Sequence, residues 1–401
     1  MTGGLALSAI GFGLFFLYWR KNRDFLSVML MAAFALRLGS AFLMEFTPFF
    51  PEKYYTDSVW YHEAASSIAG SWRAFRPSDV TGSFGHVNYS RLLAVFYFVF
   101  GSSMFIARVL NSFIGALTLI PAWKIAERFG GQRAGKVATS LYAFWPSAIY
   151  FSMEIFREAS ITFLFLWAVY FSLRFLSETR WPALLLSLLF SAITGLLRPE
   201  MMVFSAFGLF LLVVFGLRKK KASALYLVPA VAVFLLLAWH FSTQFPYFKQ
   251  ENDVLRLDGA YKLLNDLREG KIKDQSVYPE TALFEGVRFG GWLDVFKFLP
   301  TGIFHILFMP LPGLYPLGGN PSRILSAGEN LFLLILTVVA IKNFILGRRG
   351  LEAWYVVLLL LFTLSILAPV EPDLGSAMRH KITFLPLIFS FVRRPFTSQG
   401  A

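Results

Sequence analysis

Apolar runs long enough to cross a lipid bilayer recur along this chain, and they constrain its fold more than any other feature. About nineteen hydrophobic residues suffice for one crossing. Of the 401 residues, 56% are hydrophobic and only 15% are charged. A soluble domain of this size could not bury so much apolar surface, so lipid must replace water around much of it. The sequence therefore predicts an all-α polytopic membrane protein.

The charges between the apolar runs predict the topology. Short loops rich in Lys and Arg alternate with longer loops that carry the Asp and Glu, and short basic loops remain on the inner side of a membrane. This assignment places about 18 of the 37 Lys and Arg, but only about four of the 24 acidic residues, on the inner side. The predicted spans, about 11 in all, are Gly3–Trp19, Phe25–Met44, Met104–Ile125, Val137–Ser152, Glu158–Leu176, Pro182–Leu197, Met201–Leu217, Ala222–His240, Leu331–Leu346, Trp354–Val370 and Ile382–Val392.

Long segments remain on the outer side. Residues 46–90 and 241–299 are predicted to be two outer loops with short interfacial helices, and Arg91–Phe100 is predicted to lie near the membrane surface. The Pro-broken residues 300–317 are predicted to be re-entrant or interfacial. Residues 1–401 are expected to form a single integral membrane domain. An active site is therefore expected where the outer loops meet the outer ends of the spans.

Several classes of function are disfavoured by the composition. The pI of about 9.8 reflects the Lys and Arg that are concentrated in short loops on the inner side of the membrane. No nucleic-acid partner is therefore expected. The chain has neither a Walker A loop nor a dinucleotide glycine pattern, and its Cys count of 0 excludes disulfides and thiolate metal sites. No metal site is predicted. The spacing of Glu371 and Asp373 nevertheless leaves a divalent cofactor, Mg²⁺ or Mn²⁺, open.

The first outer loop carries the candidate general base, Asp57. A carboxylate held among aromatic rings at the membrane surface is partly desolvated, which raises its basicity and suits removal of a proton from a hydroxyl. The alternative is that Asp57 only caps a helix that begins at Ser58. The neighbouring candidates for substrate binding are Tyr55, Tyr61, His62 and Glu63.

Two further outer turns carry paired charges. Glu154 and Glu158 are one helical turn apart with Arg157 between them, and Arg157 is a candidate cation for binding a substrate phosphate. Arg198 follows a span and precedes Pro199, and it is a second candidate for the phosphate. The alternatives are a solvated hairpin for the first turn and a snorkelling side chain for Arg198.

The last outer loop contains three consecutive cationic or titratable residues, Arg379, His380 and Lys381. Their place on the outer side opposes the general charge trend, and such a cluster suits phosphate, with Arg379 as the planar fork. The alternative is a loop that is salt-bridged to Glu371 and Asp373.

Together these residues resemble the GT-C superfamily of polytopic glycosyltransferases. The nearest branch contains the carrier-lipid-dependent enzymes related to protein mannosyltransferases and lipid A aminoarabinose transferase. The residues that carry the resemblance are Arg37 in the second span, Asp57-x-x-x-Tyr61-x-x-x-Ala65, Leu93–Ser102, Ala107–Asn111, Phe144–Ser147, Arg157-Glu158 and Leu197–Glu200. The resemblance implies a GT-C-like fold and a polyprenyl- or dolichyl-phosphate sugar donor. It also implies a role for Asp57 near the acceptor, with Glu154 or Glu158 as a second acid. The chain departs from the family in its additional first span and in the acid doublet of the first loop, for which Glu63 or Asp79 would have to serve.

The predicted function is transfer of a sugar from a polyprenyl-phosphate donor to a glycan, lipid or protein acceptor at the outer face of the membrane. The expected location is a bacterial inner membrane with the active site on the periplasmic or outer face. Two alternatives stay open. One is a polysaccharide polymerase or ligase that uses a lipid-pyrophosphate-linked oligosaccharide. The other is a lipid-linked sugar transporter or flippase, although the paired broken helices typical of transporters are not evident.

Overall fold

The structure is a computed structural model that describes residues 2–47, 56–218, 232, 257–274, 284, 286–315, 321–347 and 350–393. The elements in these ranges are α-helices, which confirms the predicted all-α class. The chain divides into two compact units. The first contains Met1–Phe175, Arg180–Met202 and Phe389–Ala401, and the second contains Leu176–Thr179 and Val203–Ile388. The expectation of a single membrane domain stays a prediction.

The described part of each unit consists mainly of helices. Those of the first unit are α1 (Thr2–Asn22), α2 (Phe25–Phe46), α3 (Thr56–Arg73), α4 (Phe84–Phe100), α5 (Met104–Leu117), α6 (Leu119–Ala143), α7 (Pro146–Met153), most of α8 (Glu158–Glu178) and α9 (Trp181–Leu197). Those of the second are most of α10 (Glu200–Arg218), α11 (Leu257–Asp274), α12 (Trp292–Phe308), α13 (Pro321–Leu346), α14 (Leu351–Leu367) and most of α15 (Leu374–Phe389).

Five helical stretches among the described residues are long and apolar enough to cross a membrane. They are α1, α2, the continuous stretch Met104–Ala143, α8 and α13. Trp181–Leu197, Glu200–Gly216 and Leu351–Leu367 are shorter apolar helices. The chain is therefore an integral membrane protein, as predicted, while the number of eleven spans is not tested. The predicted span Ala222–His240 lies outside the described residues except for Ala232.

The predicted span Val137–Ser152 is not one helix. It is divided between the end of α6 and α7, because Trp145 adopts an extended conformation and Pro146 begins the next helix, where its missing N–H is tolerated. The predicted basic loop before this span is helical instead and belongs to α6. That helix bends at Gly130 and Gly131, and Gly131 has a φ of 66°, which a side chain would strain.

The first predicted outer loop contains two helices packed against each other, α3 and α4. The surface helix predicted to begin at Arg91 begins at Phe84. Arg73, at the end of α3, donates to the backbone carbonyls of Tyr97 and Phe98 in the last turn of α4. The two helices thus form a joined pair that positions the residues of the loop.

The segment predicted to be re-entrant, residues 300–317, is also divided. The helix α12 begins at Trp292, within the predicted second outer loop, and continues to Phe308. Met309 to Tyr315 then forms no helix. The Pro residues at 310 and 312 explain this end, since proline disfavours helical conformation in the residue before it.

Candidate active site

Asp57 lies in the first turn of α3, which begins at Thr56. Asp57 is therefore a residue of the helix and not the capping residue of a helix that begins at Ser58. Its side chain is exposed. The partial positive charge at a helix N-terminus favours a carboxylate in the first turn. The position therefore leaves the carboxylate at the surface of the first turn, exposed to solvent.

One turn further along α3, Tyr61 is buried in a cluster of rings. Its ring lies edge-on to His86 and Tyr89 of α4, with centroid separations of 5.3 and 4.9 Å. Trp60 lies 5.5 Å from Tyr61 and 5.7 Å from His86. Edge-to-face packing of this kind adds to the hydrophobic stabilisation, and it holds α3 against α4 directly beside Asp57.

A buried ion pair completes this side of the first unit. Arg198, just after α9, lies 2.7 Å from the carboxylate of Glu158 at the start of α8, and both side chains are buried. Arg157, which is partly exposed, donates to the backbone carbonyl of Leu197 at 2.9 Å. A Cβ on Gly85 would lie 2.3 Å from that same carbonyl oxygen, so glycine permits the start of α4 to approach the end of α9.

These charges surround the aromatic cluster. Burial raises the pKa of Tyr61 to about 12, against the opposing effect of the Arg157 charge. Burial, helped by Arg157, lowers the pKa of His86 to about 4. At neutral pH Tyr61 is therefore protonated and His86 is neutral. The charged residues that act on both rings are Arg157, Glu158, Asp57 and Arg198, so the structure brings these four predicted residues together around Tyr61.

Glu154, the other predicted catalytic acid, is fully buried and belongs to a second cluster. The guanidinium of Arg108 lies 3.2 Å from its carboxylate and also contacts Glu45. Glu154 accepts a further hydrogen bond from the backbone N–H of Ile155 at 3.0 Å. The Asn111 amide donates to the backbone carbonyl of Glu154 at 2.6 Å. This carboxylate is occupied in holding the turn between α7 and α8.

The remaining candidates of the first loop are His62, Glu63 and Tyr55. His62 turns towards α4, where its Nδ1 lies 2.8 Å from the Tyr97 hydroxyl. Glu63 is exposed, and Tyr55 lies outside the described residues. Sequence reasoning missed His86 as a member of the site and gave Arg108 no role in it. The only signal was a charge at position 108 within an apolar run.

Arg37, buried within α2, has a structural role. It donates to the Ser152 hydroxyl at 2.8 Å and to the backbone carbonyl of Ala143 at 3.0 Å. The latter is an end-of-helix carbonyl of α6 that has no helical partner. Arg37 thus stabilises the break between α6 and α7.

The predicted phosphate-binding residues 379–381 lie in the second unit, within the helix α15 and not in a loop as predicted, because the helix begins at Leu374. His380 Nε2 lies 3.2 Å from the Glu371 carboxylate, and the fully buried Lys381 donates to the Asn330 side chain. Arg379 is partly exposed. Of the three, Arg379 has the most access to a ligand, and its role stays a prediction.

Metal binding has no evident centre in the described part of the chain, where no group of three or more His, Asp or Glu is placed to hold an ion. Asp373 accepts a hydrogen bond from the backbone N–H of Ser376 at 2.7 Å, as an acidic residue before a helix does. Glu371 faces His380. These two carboxylates therefore serve different protein partners, and a divalent cofactor stays a prediction.

Comparison with known proteins agrees with the expected resemblance. Residues 89–241 match the family described as Dolichyl-phosphate-mannose-protein mannosyltransferase, which supports the assignment to the GT-C membrane glycosyltransferases. The crystal structure of ArnT from Cupriavidus metallidurans in the apo state is similar over 83% of this chain and 71% of that chain, at 14% identity and a TM-score of 0.33. At that TM-score the likeness carries no structural argument. No curated protein matches the chain.

Proposed function

We propose that this protein transfers a sugar from a polyprenyl-phosphate donor to an acceptor hydroxyl, with Asp57 as the general base. One observation carries the proposal. Asp57 is an exposed carboxylate whose charge acts on the His86 ring together with the charges of Arg157 and Arg198, in the unit that holds most of the family match. A glycosyl transfer from a phosphate needs this combination of a base and cations.

The reaction runs as one displacement. Asp57 removes the proton of the acceptor hydroxyl, and the acceptor oxygen forms a bond to the anomeric carbon of the donor sugar. The bond between that carbon and the phosphate oxygen breaks, and its electron pair leaves with the polyprenyl phosphate. Attack opposite the leaving group inverts the anomeric centre.

The cations have unequal parts in this step. Arg198 already pairs with Glu158 at 2.7 Å, so its charge is largely compensated and its first effect is to hold Glu158. Arg157 is partly exposed and bonds a neutral carbonyl, so it is the better partner for charge that builds on the leaving phosphate. We place the reaction at the outer face, as the charge pattern predicts.

The test is Asp57→Asn in the purified full-length protein, assayed with a panel of polyprenyl-phosphate sugars. Loss of the base is expected to lower kcat by about 10²- to 10⁴-fold. Asp266→Asn is the matched control, since Asp266 is an exposed acid on a helix of the other predicted outer loop and is not among the charges that act on Tyr61 or His86. Turnover of Asp57→Asn at the rate of Asp266→Asn would remove Asp57 as the base. A ladder of repeat units in place of singly extended products would favour the polymerase alternative.

A further inference from the structure

We propose that Trp60 and His86 form the subsite for the acceptor and that its occupant is a sugar ring, so that the acceptor is a carbohydrate. This inference rests on the proposed function and adds to it the chemical class of the acceptor. It uses two residues that no comparison assigns and that the proposed transfer step does not require.

The position of Trp60 supports the subsite. Trp60 follows Asp57 by three residues on α3, so the indole and the carboxylate project from neighbouring positions on one side of the helix. The indole is partly exposed. Gly82 packs against one edge of the indole, so closely that a Cβ at position 82 would lie only 2.8 Å from the Cζ2 atom of Trp60. The ring is therefore a supported surface next to the base.

His86 borders this surface from the other helix. Its ring centroid lies 5.7 Å from that of Trp60, and the His86 side chain is also partly exposed. The neutral imidazole offers one N–H donor and one acceptor nitrogen. Glu63, three residues after Trp60 and exposed, adds carboxylate oxygens along the same side of α3. The surface thus combines an aromatic ring with several groups that bind hydroxyls.

This combination fits a sugar better than other acceptors. The C–H bonds of a pyranose ring form an apolar face that packs on an indole, while its hydroxyls need planar polar partners such as imidazole and carboxylate. A phosphate is held best by a cation, and neither the Trp60 indole nor the neutral His86 imidazole supplies one. Arg157, whose charge acts on His86, is the proposed partner of the donor phosphate and not of the acceptor. An acyl chain would leave the polar groups of His86 and Glu63 without partners. We therefore infer that a hydroxyl of a bound sugar lies towards Asp57.

The experiment measures transfer from the polyprenyl-phosphate sugar panel to two probe acceptors, methyl glycosides of common hexoses and a peptide that contains Ser and Thr. The wild type is expected to use the glycosides and not the peptide. Trp60→Ala is expected to raise KM for the glycosides about tenfold, the loss expected for one aromatic contact, with a smaller change in kcat. Trp60→Phe, which keeps a ring and the fold, is expected to lie between the two. His86→Phe is expected to raise the same KM.

Trp72→Ala is the matched control, because Trp72 lies on the same helix, three turns away, and is also partly exposed; its KM is expected to equal that of the wild type. A KM for Trp60→Ala and Trp60→Phe equal to that of Trp72→Ala would overturn the subsite. Transfer to the peptide alone would overturn the carbohydrate assignment, as would donor hydrolysis that no glycoside diverts or inhibits. A wild type that consumes no donor in the panel would instead refute the proposed function.

Discussion

Replacement of Glu154 by Gln tests whether this carboxylate stabilises the fold or takes part in catalysis. Glu154 was a predicted catalytic acid, but it is fully buried and its carboxylate meets the Arg108 guanidinium at 3.2 Å. Removing one partner of a buried pair costs about 3–5 kcal/mol, because the remaining charge is left uncompensated. Gln can still accept from Arg108, and Glu45 also contacts this guanidinium. We therefore expect a loss near the lower end, about 3 kcal/mol.

A double variant measures the interaction energy between Arg108 and Glu154. With Met at both 108 and 154, no charge of the pair remains buried, and such replacements are often neutral or stabilising. Glu45 would then lose its partner, but its side chain is 24% exposed and water can solvate it. We expect Arg108→Met/Glu154→Met to be more stable than either single variant, with a coupling energy of about 2 kcal/mol or more.

The assay is SDS-induced unfolding of the purified protein in micelles, followed by tryptophan fluorescence, with donor turnover measured per folded molecule. Glu154→Gln is expected to lower stability and to leave turnover per folded molecule within a few-fold of the wild type. A hundredfold fall in that turnover with stability unchanged would show that Glu154 touches the substrate. A double variant less stable than both single variants would refute the ion-pair reasoning.

Three further predictions concern the packing of Gly85, the protonation of His86 and the role of Arg379. Gly85→Ala places a Cβ 2.3 Å from the Leu197 carbonyl oxygen and should destabilise the protein by about 1–3 kcal/mol. Gly70→Ala, which meets nothing within 4 Å, should stabilise α3 by about 0.5–1 kcal/mol, and equal unfolding midpoints for the two would contradict this. His86 has a folded pKa of about 4, below its ordinary 6.5, so the unfolded chain binds a proton that the folded chain excludes. Stability should therefore fall as the pH drops from about 6.5 to about 4, and His86→Asn should flatten that part of the profile measured by SDS unfolding. Arg379→Ala should raise KM for the donor at unchanged acceptor preference, and a selective acceptor defect would count against its assignment.

The sequence was a good guide wherever one short segment contains the whole signal. The apolar runs predicted α1, α2 and α8 to within a few residues at most ends. The sequence also offered a helix that begins at Ser58 as an alternative, two residues from the observed start of α3 at Thr56. It failed at residues 137–152, because the break at Trp145 depends on a proline and on the distant Arg37, which stabilises the open end of α6.

The candidate site was predictable only in part, because its residues come from several segments. Asp57, Glu158 and Arg198 were named from local patterns, but nothing in those patterns pairs Arg198 with Glu158, 40 residues away in the chain. Glu154 and Glu158 looked equivalent at one turn apart. The fold assigns them to different cations, Arg108 and Arg198.

What the sequence determined by itself is the class of molecule, an α-helical membrane protein with its acidic groups gathered towards one predicted side. Hydropathy and charge are properties of each segment by itself, so they predict the class of fold without knowledge of which segments pack together. What only the tertiary structure decided is which charged side chains are buried in pairs and which lie exposed at the surface. That depends on burial and on distances between helices, which set the energetic cost of each charge and which the order of residues along the chain does not specify.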